Sequence, residues 1–474
     1  MPSTPTFDPA LPGPGTRVLV HGLGRFGGGQ QAIRHLWRRG CAVTVADRSA
    51  GADHLATQKA LRDLHGVDWQ LGREDEGLLD GIDVLVVNPA VPDSHPLLLA
   101  ARARGVATTQ EVDLFLAAYP GRVVAVTGTN GKSTTATLLH AALQRAGHDA
   151  LLGGNIGRSL LADEGLWRDD QVAVLEISSF QLERLDARRR VLGAVFTRVT
   201  RDHIDRHGTL AAYHAAKARL AMIAEQFVIH GAADPVASEF PSAAQRRLTF
   251  ADAPPAPGSG GLLDDFLALR TDTGPAELLV HRDALRMLGD FQVENALAAG
   301  LAARLLGAAP HVIGMALATA APLPFRLQLV AVTGGVRVYD NGVSTEVQST
   351  VAALQTLARR VEQGRRIHWL GGGKSKDGDY AAVAEAVRPF VTSAHLFGDA
   401  ATPLGALLQP TLPTTVNATL AEALAAAFAA AAPGDAVLFS PAFASFDRYP
   451  NFRARAQEFH AWLASSRAQA ALSG

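Results

Sequence analysis

The chain has 474 residues, 48% hydrophobic and 19% charged, with a formal net charge of -1. That length suggests two to four domains, with three as the middle estimate, and enough apolar material for packed cores. The near-zero charge excludes bulk attraction to nucleic acid or to an anionic membrane, while 44 basic residues leave room for a local phosphate site. Cys41 is the single cysteine, so no internal disulfide framework can form, which fits a reducing compartment. The Pro-rich start lacks the apolar core of a signal peptide, and no apolar run approaches the ~20 residues that span a bilayer. A cytoplasmic chain, with no nucleic-acid or membrane partner, is expected.

In chain order, Arg17 to His21 reads as a short apolar strand, followed by a glycine turn and a helix from Gln30 to Arg39. Ala42 to Ala46 and Ile82 to Val87 are further strands, ending at Asp47 and at Asn88-Pro89. A second unit starts near Arg122, with a strand at Val123 to Val126, a glycine turn, and a helix from Ser133 to Arg145 stopped at Gly147. Val172 to Ile177 and Ala194 to Val199 read as buried strands, Ala251 to Gly261 as a surface loop, and Leu297 to Leu306 as a helix. Two prolines interrupt the pattern between Ala320 and Arg326, where a third unit begins. Its expected strands are Val336 to Tyr339, Ile367 to Leu370, His395 to Phe397 and Ala436 to Phe439, with a helix from Leu420 to Ala432. Strands alternating with helices predict an α/β protein of three domains, over residues 1–117, 118–319 and 320–474, each built on a mostly parallel sheet. The first and third are expected to be Rossmann-like and the second to resemble a P-loop ATPase.

Thr127-Gly128-Thr129-Asn130-Gly131-Lys132-Ser133-Thr134 follows a strand and opens a helix. That geometry aims backbone N–H groups and a helix dipole at phosphate. Lys132 can reach the outer phosphates, and the Ser133 hydroxyl can coordinate Mg²⁺. A general phosphate loop would carry glycine at position 126, but Val126 stands there, so this is a tighter variant. A plain glycine turn with a surface lysine is the bland alternative; strand, loop, lysine, hydroxyl and helix coinciding argue against it. Downstream, Glu176 closes a strand, where ligand residues of open α/β sheets collect, and a carboxylate there can hold Mg²⁺ opposite Ser133. It opens the run Glu176-Ile177-Ser178-Ser179-Phe180-Gln181-Leu182-Glu183. Asp202-His203 and Lys217, in Tyr213-His214-Ala215-Ala216-Lys217, follow. Taken alone, such a histidine and such a helix lysine are ordinary solvated groups.

Gly22-Leu23-Gly24-Arg25-Phe26-Gly27 is a full GxGxxG after a strand, and Asp47 ends the next strand. This is the dinucleotide fingerprint in its proper context, so an NAD-dependent oxidoreductase is a rival reading.

The loop TGTNGKST together with the SSFQLE run resembles the MurD family of Mur ligases, the UDP-N-acetylmuramoyl-L-alanine:D-glutamate ligases. The likeness runs from the first glycine loop to the C-terminal helix. It implies ATP and Mg²⁺ as cofactors, an acyl-phosphate intermediate and a monomer. The catalytic residues it implies are Lys132, Glu176, His203 and Lys217, with a metal held by Ser133, Glu176, His203 and a carbamylated Lys217. ATP would meet Gly128, Thr129, Asn130, Gly131, Lys132, Ser133, Thr134, Asn295, Arg326 and Asn341. The UDP precursor would meet Gly22, Leu23, Gly24, Arg25, Phe26, Asp47, Arg48, Asn88, Asn155, Ser178 and Gln181. D-glutamate would meet Thr345, Lys376, Ser445 and Phe452.

Several positions depart from the family pattern. Gln292 stands where the family usually has asparagine, and Phe325 precedes Arg326 in place of a frequent histidine. The family's ribose-directed aspartate falls on Asn341. In Gly372-Gly373-Lys374-Ser375-Lys376-Asp377-Gly378-Asp379 the spacing to Asp379 selects Lys376 over Lys374. The other readings are a ligase adding L-glutamate, another muramyl-peptide ligase, folylpolyglutamate synthetase, or a catalytically silent regulatory protein on a ligase fold. The intact Lys132, Glu176, His203 and Lys217 argue against the last.

Overall fold

The first strand, β1 (Arg17–His21), shows how the chain builds its layers. Val18 and Val20 turn to one face and pack with Ile33 and Leu36, while Leu19 turns to the other and packs with Leu85 and Leu97. Around it lie β2 (Ala42–Asp47), β3 (Asp68–Leu71), β4 (Val84–Val87) and β5 (Ala107–Thr109), all parallel, in the order β3-β2-β1-β4-β5. The order reverses between β1 and β4, so the glycine turn after β1 and Asn88 after β4 share the switch-point crevice. The structure is a computed structural model and describes residues 7–24, 27–360, 365–375 and 378–465.

A second sheet has nine strands: β6 (Arg122–Thr127), β7 (Ala150–Gly154), β8 (Val172–Glu176), β9 (Val191–Phe196), β10 (Ala224–Gly231), β11 (Arg246–Phe250), β12 (Ser259–Leu263), β13 (Phe266–Arg270) and β14 (Glu277–His281). Their order is β14-β13-β12-β11-β10-β9-β6-β8-β7, antiparallel only where β13 joins β12 and β14. The interior strand β6 feeds the helix Lys132–Arg145, which buries Leu138, Leu139, Ala142 and Leu143. That helix ends as its sequence predicts. Gly147 turns left-handed at φ 86, its N–H donates to Gln144 O, and His148 N–H donates to Leu143 O.

These two sheets belong to one compact unit, Met1–Arg282 with Glu294–Ala318. Polar contacts join them. Arg184 Nε donates to Asp93 Oδ1 at 2.7 Å, Gln110 Nε2 donates to Gln181 O at 2.8 Å, and Asp186 N donates to Asp113 Oδ1 at 3.0 Å.

The other unit, Asp283–Val293 with Thr319–Gly474, carries a third sheet. Its strands are β15 (Gln328–Thr333), β16 (Val336–Asp340), β17 (Ile367–Gly372), β18 (Ser393–Phe397), β19 (Thr414–Val416) and β20 (Ala436–Ala442), in the order β15-β16-β20-β17-β18-β19. Only the β15–β16 pair is antiparallel. Trp369, fully buried on β17, sits in one core layer, and Phe439 of β20 stacks on Phe459 in the other.

The α/β class and the three mostly parallel sheets agree with the sequence reading. Several boundaries do not. The strand expected over Ala194 to Val199 is Val191–Phe196, because Thr197 and Arg198 leave the ladder to bond the phosphate loop through Thr127 O and Thr129 N. The expected loop Ala251 to Gly261 ends inside β12, where Gly260 and Gly261 are buried. A Cβ on Gly261 would stand 1.9 Å from Ala253 O, so glycine here permits close packing rather than a turn. The helix expected from Leu297 begins at Asp290, and the strand expected from Ile82 begins at Val84.

Candidate active site

Between Thr127 and Lys132 the chain turns through Gly128, at φ 148, and Gly131, at φ 86. A Cβ on Gly128 would lie 1.8 Å from Thr197 Oγ1, and one on Gly131 would lie 2.3 Å from Asn295 Oδ1. Glycine is therefore needed for space at both and for left-handed backbone at Gly131. The turn is braced. Thr129 Oγ1 accepts from Thr200 N at 2.8 Å and bonds the Tyr213 hydroxyl at 2.8 Å, while Asn130 O accepts from Thr197 Oγ1. Thr135 Oγ1 donates to Asn295 Oδ1 at 3.3 Å, which brings Asn295 to the loop. Thr134 is buried, and Lys132 and Ser133 open the helix at its N-terminus. Gln292 is buried on the first turn of the helix that carries Asn295.

Two lysines converge on one carbonyl. Lys132 Nζ donates to Gly128 O at 3.1 Å and to Thr129 O at 2.9 Å. Lys217 Nζ donates to the same Gly128 O at 2.8 Å and lies 4.8 Å from the centre of the Tyr213 ring. Lys217 is 1% exposed. Burial first, and then the Lys132 charge, push its ammonium well below the ordinary lysine range, against the pull of Asp202 and Glu176.

Glu176 is also 1% exposed. Its Oε1 accepts from Asn155 Nδ2 at 2.8 Å, while its Oε2 is buried with no hydrogen-bond partner among the described residues. A cavity of about 250 Å³ gathers Gly128, Lys132, Asn155, Ser178, His203 and Lys217. His203 caps a short helix at φ 51, with Nε2 3.2 Å from Asp202 Oδ2 and its ring 4.9 Å from that of Phe180. Ser178 and Gln181 form a capping box, so the polar atoms expected to meet the precursor already order the helix Ser179–Glu183. Asp202, Phe180 and Tyr213 line the cavity too, although sequence reasoning assigned them no role. Tyr213 was findable, because it lies four residues before Lys217 on one helix face.

In the first sheet, a Cβ on Gly22 would stand 2.8 Å from Asn88 Cβ, and one on Gly24 would stand 2.5 Å from Asn88 Nδ2. Gly22, Gly24 and Asn88 therefore form one crevice wall. Leu23 N donates to Asp47 Oδ2 at 2.9 Å, and Arg48 is exposed beside it. Arg25 and Phe26 lie outside the described residues. Arg206 ties this crevice to the cavity, donating to Val91 O at 3.1 Å and standing 5.3 Å from the centre of the Phe180 ring.

The unit with the third sheet holds the remaining expected residues. Arg326 sits between Phe325 at φ 67 and Leu327 at φ 46, two non-glycine residues in left-handed backbone. Phe452 is half-buried and meets Phe325 edge-on at 6.4 Å, so it is not plain core. Lys374 N donates to Ala444 O at 2.8 Å and Lys374 O accepts from Ala444 N at 3.1 Å, which straps the glycine-lysine loop to the segment carrying buried Ser445. Thr345 is half-buried. Asn341 points inward, donating to Ser440 Oγ at 3.0 Å, and its neighbour Asp340 bonds Gly342 N and His460 Nε2. Lys376 lies outside the described residues.

Fold and cavity together define an α/β enzyme of the phosphate-loop class. The MurD-like N-terminal domain matches residues 16–110, the Mur ligase middle domain residues 126–303, and the Mur ligase glutamate ligase domain residues 325–443. The UDP-N-acetylmuramoylalanine--D-glutamate ligase of Acidobacterium capsulatum is 34% identical, over 96% of this chain and 98% of that one. The ligase of the same name from Dinoroseobacter shibae is 35% identical, over 93% and 98%. Among solved structures, the UDP-N-acetylmuramate-alanine ligase MurC of Thermotoga maritima shares the fold, with a TM-score of 0.61 at 17% identity over 94% of this chain and 98% of that one. The chain belongs to the Mur ligase family, in its MurD branch, and is an ATP-dependent ligase that forms amide bonds. The oxidoreductase reading falls with that assignment. No helix among the described residues is long and apolar enough to cross a membrane.

Proposed function

We propose that the enzyme joins D-glutamate to UDP-N-acetylmuramoyl-L-alanine in peptidoglycan precursor synthesis, through an acyl phosphate. The single observation that carries this reading is the cavity in which the phosphate loop and two lysines come together, with Glu176 bonded to Asn155 of its wall. A carboxylate is a poor electrophile, because its charge repels nucleophiles. Transfer of the γ-phosphoryl group of ATP to the precursor carboxylate gives an acyl phosphate and ADP. The amine of the amino acid then attacks the acyl carbon, an amide forms, and phosphate leaves. The loop N–H groups and Lys132 would neutralise the transferring group, so the chain's contribution is mainly position and charge.

The residues fit a divalent cation. The Oε2 of Glu176, buried with no hydrogen-bond partner among the described residues, is an available oxygen ligand, and Ser133 opens the helix at the phosphate loop. Mg²⁺ held by Ser133, Glu176, His203 and a carbamylated Lys217 would neutralise phosphate charge during transfer. Two ammonium groups on Gly128 O would repel each other, which favours a neutral Lys217 amine. A neutral amine can add CO₂, losing one proton to give the carbamate.

Amino-acid recognition is assigned to Thr345, Lys376, Ser445 and Phe452, with Lys376 meeting the side-chain carboxylate as a point cation. Phosphate release with UDP-N-acetylmuramoyl-L-alanine across a panel of amino acids is the test. D-glutamate should outpace D-glutamine by ~10-fold or more, the value of one charge-assisted hydrogen bond. Faster release with L-glutamate would overturn the stereochemical assignment, and equal rates with glutamine would overturn the electrostatic one.

A further inference from the structure

Strand alternation turns His21, the last residue of β1, to the same face as Leu19. Leu19 meets apolar neighbours there, but His21, 1% exposed, meets polar ones. Its Nδ1 is buried with no hydrogen-bond partner among the described residues, and its Nε2 stands 3.8 Å from Glu74 Oε1. The same Glu74 oxygen is 3.5 Å from His95 Nε2, and the two imidazole rings are 5.1 Å apart. One ligand atom from each of the three side chains lies within 4.8 Å of the others, a grouping of His, Cys, Asp or Glu found at no other place among the described residues.

A histidine kept only for packing normally puts a ring nitrogen into a hydrogen bond, since a buried bare nitrogen is costly. His21 does not. Two imidazoles and one carboxylate, converging from three separate segments, form a donor set suited to a borderline divalent ion such as zinc, with water completing four-coordination. Donors bonded at about 2.0–2.2 Å to a tetrahedral zinc stand roughly 3.5 Å apart, so small side-chain shifts would close the set.

We propose that His21, Glu74 and His95 bind one zinc-class divalent ion at the C-terminal edge of the first sheet. The ion would tie the end of β1, beside Gly22, to the segment after β3 and to the start of the helix Pro96–Ala103. The site is separate from the Ser133–Glu176 cation site. It has one local cost. His95 Nδ1 now accepts from Leu97 N at 3.3 Å as the cap of that helix, and metal on Nε2 would move the ring proton to Nδ1 and release that bond.

This cost suggests the decisive variants. His95→Asn keeps a capping oxygen but removes the ligand, and Glu74→Gln keeps size but removes charge at a half-buried position. The full chain is stripped with chelator and titrated with Zn²⁺ against a chromophoric competitor in excess Mg²⁺. Co²⁺ absorption and melting temperature are read in parallel. The expected result is one Zn²⁺ per wild-type chain, a tetrahedral Co²⁺ spectrum and a raised melting temperature. Each variant should lose ~10-fold or more in Zn²⁺ affinity, lose the zinc-dependent shift, and melt like metal-free wild type without metal. Glu176→Gln should leave this Zn²⁺ binding unchanged. Failure of the wild type to retain Zn²⁺, or variants that bind as wild type does, would overturn the proposal. So would Zn²⁺ binding lost only in Glu176→Gln. None of these readouts uses ligase turnover, so the proposed reaction stands or falls separately.

Discussion

Gly131→Ala tests how the phosphate loop is held. The residue sits at φ 86 and ψ -14, and a side chain there would hold left-handed backbone at ~1–2 kcal/mol. Its Cβ would also stand 2.3 Å from Asn295 Oδ1 and 3.0 Å from Asn295 Cγ, so Asn295 must swing away. That motion breaks the bond from Thr135 Oγ1, worth ~1 kcal/mol. The total is ~2–3 kcal/mol, or a fall of ~5 °C in melting temperature for a unit of this size. Asn295→Ala removes the obstruction but not the backbone cost. The double variant should therefore be less destabilised than the sum of the singles by ~1 kcal/mol. Thermal and urea unfolding of the four proteins give the cycle. A loss below ~0.5 kcal/mol for Gly131→Ala, or strict additivity in the double variant, would refute the reasoning, because additivity within that margin marks independent sites.

Three further outcomes are expected. Lys132→Ala should abolish ATP-dependent phosphate release while leaving UDP-precursor binding largely intact, checked by calorimetry; wild-type turnover would sink the phosphate-loop role. Lys217→Ala should be nearly inactive and partly restored by acetate or formate, whereas no rescue together with a free lysine in a metal-loaded map would count against carbamylation. Burial pushes the Asp113 carboxyl up to about 6 from its ordinary 3.8, against hydrogen bonds from Asp186 N and Gln110. The folded state then keeps a proton that the unfolded chain has lost, so stability falls as pH rises through that window, by ~3 kcal/mol. Asp113→Asn should flatten this part of the unfolding profile, and parallel profiles for variant and wild type would refute it.

What the sequence revealed followed how local the cause was. The helix Lys132–Arg145 was legible at both ends, because glycine before Lys132 and Gly147 after Arg145 act within one turn. The strand ends at Val199 and the glycines at 260 and 261 were not, because distant partners decide them: the phosphate loop in one case and Ala253 in the other. Short, half-exposed β3 and the edge pair β13–β14 carry too few alternating apolar positions to declare themselves. Lys132, His203 and Lys217 of the cavity, and Glu176 bonded to Asn155 of its wall, were each legible by motif. The convergence of both lysines on Gly128 O was not, because Lys217 is delivered by a helix 89 positions away in sequence.

The dinucleotide fingerprint of the first sheet shows why a motif read alone overreaches. In the nucleotide-binding reading, Asp47 should present its carboxylate to a ribose. Here Asp47 Oδ2 accepts from Leu23 N at 2.9 Å and lies 3.2 Å from His54 Nε2, while Oδ1 accepts from Ser49 N at 3.0 Å. The acid braces the glycine turn from behind and is 8% exposed. Its spacing from the glycines follows the turn itself: with Gly22 and Gly24 in left-handed backbone, the Leu23 N–H finds its acceptor at the end of the adjacent parallel strand. The same spacing would therefore arise in any doubly wound sheet with this turn, whatever nucleotide it holds. The crevice wall itself is built elsewhere, where Asn88 packs against both glycines and Arg206 bonds Val91 O beside them.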